Sequence, residues 1–239
     1  MSIDTSRRLY KAATVTGASS NWRIALDGKE IKTPARRDLI LKSRGLAEAI
    51  AEEWAAQEAK VRPHTMPLMQ ISSTAIDRVG PERPRIVTET AGYAETDLIC
   101  YRAEGPADLI SRQVATWDPL LDWVRERFDV SLRTASGVMA VVQPESALKT
   151  LRRVVEAQDD FHLTALAVLV GATGSLAIGL AVLEKRLSSD EAIAAAQLDE
   201  LYQAERWGGD PEAEVRRAGQ GVDIAQARRF LDLLEAGES

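Results

Sequence analysis

From Phe161 to Leu183 the chain runs for 23 residues without one Asp, Glu, Lys or Arg. A stretch this apolar has to leave water, either into a protein core or into a bilayer that its length could span. His162, Thr164, Thr173, Ser175 and the glycines Gly171, Gly174 and Gly179 dilute its transfer energy, which argues for a core. The expectation is a fully buried helix, or two helices bent near residues 171–174, around which the others pack. Stable membrane insertion is not expected, and a peripheral membrane protein would have this segment alone to rest on. Thirty-six alanines against 5% aromatic residues also favour helix, since alanine is its best intrinsic former.

The beginning of the chain reads differently. Leu9–Thr16 and Trp22–Leu26 are rich in β-branched and aromatic residues, and Asp27-Gly28 suits a type I′ turn into a strand over Glu30–Thr33. Pro34 ends that strand and Asp38–Lys42 reads as another. Ser43 is then a plausible N-cap for a helix with Leu46, Ile50 and Trp54 on one face. Pro67 fits a first helical turn, Leu68, Ile71, Ala75 and Val79 follow at helical spacing, and Gly80-Pro81 reads as a stop. The 239 residues allow one large domain or two small ones. The punctuated stretch 81–84 places the boundary there, giving an N-terminal α/β domain over 1–83 and a helical domain over 84–239.

Beyond it the periodicity is helical. Ile110, Val114, Trp117, Leu121, Val124 and Phe128 form a stripe along Ala107–Phe128, interrupted by Pro119, where a kink is expected. Val130–Leu132 and Val138–Val142 read as short extended pieces, and Pro144 opens a helix with Leu148, Leu151 and Val155 inward. Ser188 and Glu191 have capping-box spacing before an alanine-rich helix carrying Ile193, Gln197 and Leu201, which Trp207-Gly208-Gly209 ends. Asp210-Pro211 starts a short helix over Glu212–Arg217, with Arg216-Arg217 suited to its C-terminal dipole. Gly219 and Gly221 separate it from a last helix bearing Ile224, Ala227, Leu231 and Leu234. The expected fold class is α+β, a small sheet-and-helix domain before a larger helical one.

Composition excludes several functions. A net charge of −6 and a pI near 5.2 have the wrong sign for a nucleic-acid binder. One cysteine, Cys100, excludes an internal disulfide, and with only His64 and His162 beside it little is left for a metal site. No phosphate-binding loop or nucleophile elbow is present, and Gly171-Ala-Thr-Gly174 lacks the basic residue of such a loop. Cys100, inside Leu98-Ile99-Cys100-Tyr101, reads as a buried small hydrophobe more readily than as a nucleophile paired with a histidine. His162 reads as a core or cap residue. The pairs Glu52-Glu53 and Asp199-Glu200 read as solvated helix faces, because adjacent helical positions point about 100° apart. No catalytic residue, cofactor site or metal site is assigned.

Four blocks in fixed order carry a resemblance: His64-Thr-Met-Pro-Leu-Met-Gln-Ile-Ser-Ser-Thr-Ala-Ile-Asp77, Glu95-Thr-Asp-Leu-Ile-Cys-Tyr-Arg102, Trp117-Asp-Pro-Leu-Leu-Asp-Trp123 and Leu198-Asp-Glu-Leu-Tyr-Gln-Ala-Glu-Arg-Trp-Gly208. From about Leu9 to about Arg217 the chain resembles the assembly chaperones of the F-type ATP synthase that hold its α subunit before the catalytic head forms. The resemblance implies a small α/β domain followed by an orthogonal helical bundle, and no catalysis. It implies that the free α subunit is the partner, shielded from aggregation on the face the β subunit later covers. It also implies a weighty acidic position, matched here by Glu200, with Tyr202 and Trp207 following as candidate partner-binding residues. Eukaryotic relatives carry a mitochondrial presequence; Met1–Leu9, polar and containing Asp4, does not read as one, so a monomeric protein of the bacterial cytoplasm is expected. A ligand-binding protein or small-molecule enzyme using the interdomain cleft is the alternative.

Overall fold

The structure, a computed structural model, describes residues 7–137 and 141–236. It is mixed α+β, a small antiparallel sheet followed by a helical region. Two compact units divide it: one holds the described residues up to Arg83 and those from Arg229 onward, the other holds Pro84–Arg228. The punctuated stretch 81–84 predicts a single cut after residue 83; the last described turns, from Arg229, group with the first unit.

In the first unit β1 (Ala13–Ala18), β2 (Asn21–Leu26) and β3 (Lys29–Glu30) pair antiparallel in that order. Asp27 and Gly28 adopt φ of 49° and 82°, the two left-handed positions that a type I′ turn demands. The β1–β2 turn is of the same two-residue kind but is made by Ser19 and Ser20, at φ 49° and 65°, a pair without the usual glycine signal. Gly17 beside it is obligatory, since a Cβ there would lie 2.0 Å from the Asn21 carbonyl oxygen. The expected strand Asp38–Lys42 meets the sheet in one isolated pairing, Leu41 with Trp22, and Asp38 pairs with Lys32 beyond the end of β3.

Helix α1 (Arg44–Ala55) starts at Ser43, whose Oγ accepts from the Leu46 N–H at 3.3 Å and donates to the Leu233 carbonyl. Helix α2 (Pro67–Thr74) has no side-chain cap of its own. Glu53 supplies one from α1, its carboxylate accepting from Leu68 N–H at 2.8 Å and Met69 N–H at 2.9 Å. That corrects the reading of Glu52-Glu53 as a solvated face. The helix continues into a π turn over Ala75–Val79, closed by Gly80 N–H to the Ala75 carbonyl at 3.0 Å, and Glu82 N–H still bonds the Arg78 carbonyl. Gly80 is the C-cap of this turn, so the helix ends where Gly80-Pro81 reads as a stop, and α3 (Arg83–Gly92) begins three residues later.

In the second unit β4 (Tyr101–Arg102) pairs parallel with β5 (Ala135–Ser136), a two-residue contact with no periodic signal. The expected extended piece Val130–Leu132 forms no strand, and of Val138–Val142 residues 138–140 lie outside the described residues. Helix α4 (Ala107–Phe128) is continuous through Pro119, but its buried face is Leu109, Gln113, Trp117, Leu120 and Val124. Trp117 and Val124 are common to both faces, but Leu109, Gln113 and Leu120 are buried in place of Ile110, Val114 and Leu121, and Val114 is left 47% exposed. Buried Gln113 has both ends of its amide satisfied, accepting from Ala103 N–H at 2.9 Å and donating to Asp199 at 2.7 Å. Helix α5 (Glu145–Glu156) buries Ala147, Leu151 and Val155.

The uncharged segment forms two helices, α6 (Asp160–Thr173) and α7 (Leu176–Leu183), the second of the two geometries expected for it. Gly174 at φ 67° caps α6, and Ser175 caps α7 by accepting from Ile178 N–H at 3.0 Å. Every residue of α7 is buried. Asp97, wholly buried, accepts from Ala177 N–H at 3.0 Å at the start of α7, and burial raises its pKa. Among the described residues no helix is long and apolar enough to cross a membrane.

Helix α8 (Ser189–Ala196) opens with the full reciprocal capping box of Ser188 and Glu191. The chain breaks at Gln197, so the expected single alanine-rich helix is two, and α9 (Leu198–Trp207) begins afresh. Conversely, α10 (Pro211–Glu235) runs unbroken through Gly219 and Gly221, where two helices were expected. Its stability comes from packing: Ile224, Ala227, Phe230 and Leu231 are fully buried, enough to override the roughly 1 kcal/mol a helical glycine costs.

Candidate partner-binding surface

Helix α9 carries all three candidate residues, but Glu200 and Tyr202 are two positions apart and therefore point to different sides of it. Tyr202, 1% exposed, faces α4: its hydroxyl donates to Asp108 at 2.8 Å. The guanidinium groups of Arg112 and Arg206 lie 5.2 and 5.3 Å from the centre of its ring. Arg206 also pairs with Asp108, and Arg112 with Glu205 at 2.8 Å. The Tyr202 hydroxyl, then Arg206, hold the Asp108 carboxyl below its usual range; burial and Asp108 in turn push the Tyr202 phenol up. Tyr202 thus fastens α9 to α4 and is not itself on the surface.

Glu200 and Trp207 lie on the other side of α9. Together with Gln203, Arg216 and Arg217 they line a shallow groove of about 420 Å³ between α9 and the start of α10. Glu200 is half-buried and meets Arg216 at 3.1 Å and Arg217 at 3.6 Å. Trp207 is 76% exposed at the end of α9, where Gly208 at φ 91° turns the chain away. Gln197 ties the two helices together by donating to the Arg217 carbonyl at 2.9 Å.

Two assignments change as a result. Arg216-Arg217 read as the C-terminus of a short helix; α10 runs on to Glu235, so they stand in its second turn, and their charge is met by Glu200 and not by a helix end. Asp199-Glu200 are no solvated face either, since Asp199 binds Gln113 and Glu200 binds the arginines. The roles of Asp108, Arg112, Arg216 and Arg217 had no local signal, because each partner is 16 or more residues away.

Cys100 is fully buried, and burial together with neighbouring Asp97 pushes its thiol up to about 12, the reverse of an activated nucleophile. His162 places Nδ1 2.9 Å from Asp159, the residue that caps α6. His64 lies exposed in a 3-10 turn.

A family model described as ATP12 chaperone protein matches residues 7–125. The crystal structure of Atp12 from Paracoccus denitrificans is 38% identical and superposes with a TM-score of 0.91, covering 95% of this chain and 98% of that one. The chain belongs to the ATP12 chaperone family. A mutant of the same P. denitrificans protein gives 37% identity and a TM-score of 0.91 over 95% of this chain and 97% of that one. The mitochondrial atp12 protein of Schizosaccharomyces pombe is 26% identical over 219 residues, 87% of this chain and 75% of the relative. Family membership accords with the four sequence blocks and makes the chain an ATP synthase assembly chaperone. The structural relationship extends across α9 and α10, beyond the reach of the family model.

Proposed function

We propose that this ATP12-family chaperone binds the free α subunit of the F-type ATP synthase through the α9–α10 groove, in the bacterial cytoplasm, and shields it from aggregation until β replaces the chaperone. It works by reversible binding, without a chemical step. The observation that carries this reading is Trp207, a large aromatic left 76% exposed beside a half-buried acid. Tryptophan is the residue most enriched at binding hot spots, and a charged rim around one apolar anchor suits a contact that must later be released.

Glu200 is held loosely enough to take part. With Arg216 57% exposed and Glu200 42% exposed, their pair is worth only about 0–1 kcal/mol. A guanidinium or ammonium group of the α subunit can therefore take the place of Arg216 at little cost. The test is capture of purified free α subunit by the tagged chain. Glu200→Lys and Trp207→Ala are each expected to weaken it at least tenfold while thermal melting stays unchanged; undiminished capture by folded forms of both variants would remove the assignment.

A further inference from the structure

Arg216 and Arg217 are adjacent in α10 and so stand about 100° apart around its axis, which gives them different places beside the one acid they share. Arg217 is the fixed partner. Its side chain is only 11% exposed, its Nη1 lies 3.6 Å from Glu200, and Gln197 holds its carbonyl. Arg216 is the loose partner, more than half exposed and donating to Glu200 at 3.1 Å. Both arginines meet the same oxygen, Oε2, and Oε1 of Glu200 accepts no hydrogen bond among the described residues.

The rest of the groove leaves room beside that oxygen. Glu200 and Trp207 are seven positions apart on α9, hence on one face and about 10 Å apart along its axis. Ala204 lies between them and Ala213 opposite, so small side chains floor the space from the acid to the indole. Asp210, the other acid of the lining, is already engaged at the start of α10, accepting from Glu212 and Ala213 N–H at 3.3 Å. Glu200 is therefore the acid open to a partner.

A carboxylate or phosphate is repelled by Glu200, and an aliphatic side chain leaves Oε1 without a donor. An ammonium group is a point charge, whereas a planar guanidinium donates to both oxygens of a carboxylate at once. An arginine also carries an apolar stem that can cover Ala204 and a flat cationic head suited to an indole face. The structure itself places a guanidinium on Glu200, that of Arg216. We propose that the groove takes an arginine side chain of the client and that Arg216 is its internal stand-in. The incoming guanidinium bonds Oε1 and Oε2, Arg216 turns out to solvent, and Arg217 stays. The inference rests on the chaperone reading above and narrows it to one class of side chain and one displaced residue. Competition from Arg216 holds the affinity down, which suits a contact that must be given up.

Arg216→Gln removes the competitor and leaves Arg217 and the groove walls in place. With purified free α subunit as probe, the full chain carrying it is expected to bind about two- to fivefold more tightly at unchanged melting temperature, the range set by an exposed ion pair. In a Glu200→Gln background the same substitution is expected to change nothing, because no acid is left to compete for. N-acetylarginine amide is expected to displace α at a several-fold lower concentration than N-acetyllysine amide. Weakened or unchanged binding by folded Arg216→Gln, an equal gain in both backgrounds, or equal displacement by the two amides would overturn this inference; weakened Trp207→Ala alongside would leave the proposed function standing. No capture by the unsubstituted chain would overturn both.

Discussion

Several side chains acquire their roles only from partners distant in the chain. Gln113 is polar at a position that faces the core, and it is tolerated there because it bonds both Ala103 and Asp199. Glu53, written beside another acid on an amphipathic helix, reaches the start of the next helix instead. The same dependence explains Cys100, whose sequence neighbourhood indicated burial but not its degree. With the thiol pushed up to about 12, roughly one molecule in ten thousand is thiolate at pH 8. The native chain is therefore expected to resist Ellman's reagent at pH 8 for far longer than a free cysteine does, and to release one equivalent in concentrated guanidinium chloride. Native labelling at the free-thiol rate would show that the core around Cys100 is open.

At the level of elements, the pairing of α6 with α7 depends on where its glycines lie. A Cβ at Gly179 would come 2.7 Å from Val170 Cγ2 and 3.3 Å from Leu166 Cδ1, both in a filled core. Crowding there costs about 1–3 kcal/mol, against a gain of about 0.5–1 kcal/mol from better helix propensity. Gly179→Ala is expected to destabilise the chain by about 1–2 kcal/mol. Gly171 lies in α6 with nothing within 4 Å of its added Cβ, so Gly171→Ala should instead stabilise by about 0.5–1 kcal/mol. Urea midpoints at unchanged slope would measure both; equal effects at the two sites would show that close approach of the helices does not explain Gly179. The caps of α1 and α8, Ser43 and Ser188, were legible beforehand, because a cap involves residues only three apart. The break at Gln197 and the continuity of α10 were not, since burial outweighed the alanine run in one case and the glycines in the other.

Over the whole molecule, the last described turns group with the first unit, and Phe230, Leu231 and Leu234 are buried. Each large apolar side chain of this kind contributes about 1.5–3 kcal/mol. Their sum is comparable to the about 5–15 kcal/mol that holds an ordinary domain together. Truncation after Arg228 is therefore expected to melt the first unit while α6 and α7 stay folded, seen as a new low-temperature transition and binding of a hydrophobic dye; a single unaltered transition would contradict the grouping. Of the candidate surface, the sequence identified α9 and its three residues, through resemblance and not through pattern. The structure separated them, placing Tyr202 inside and Glu200 with Trp207 outside. By itself the sequence determined the elements whose causes are local: the Asp27-Gly28 turn, the caps at Ser43 and Ser188, and the burial of the uncharged segment 161–183, which it left open between one helix and two bent near 171–174. Tertiary structure alone decided which polar groups are buried, which face of α9 meets solvent and where the C-terminal turns pack, because those energies belong to contacts between residues tens of positions apart that no short window of sequence contains.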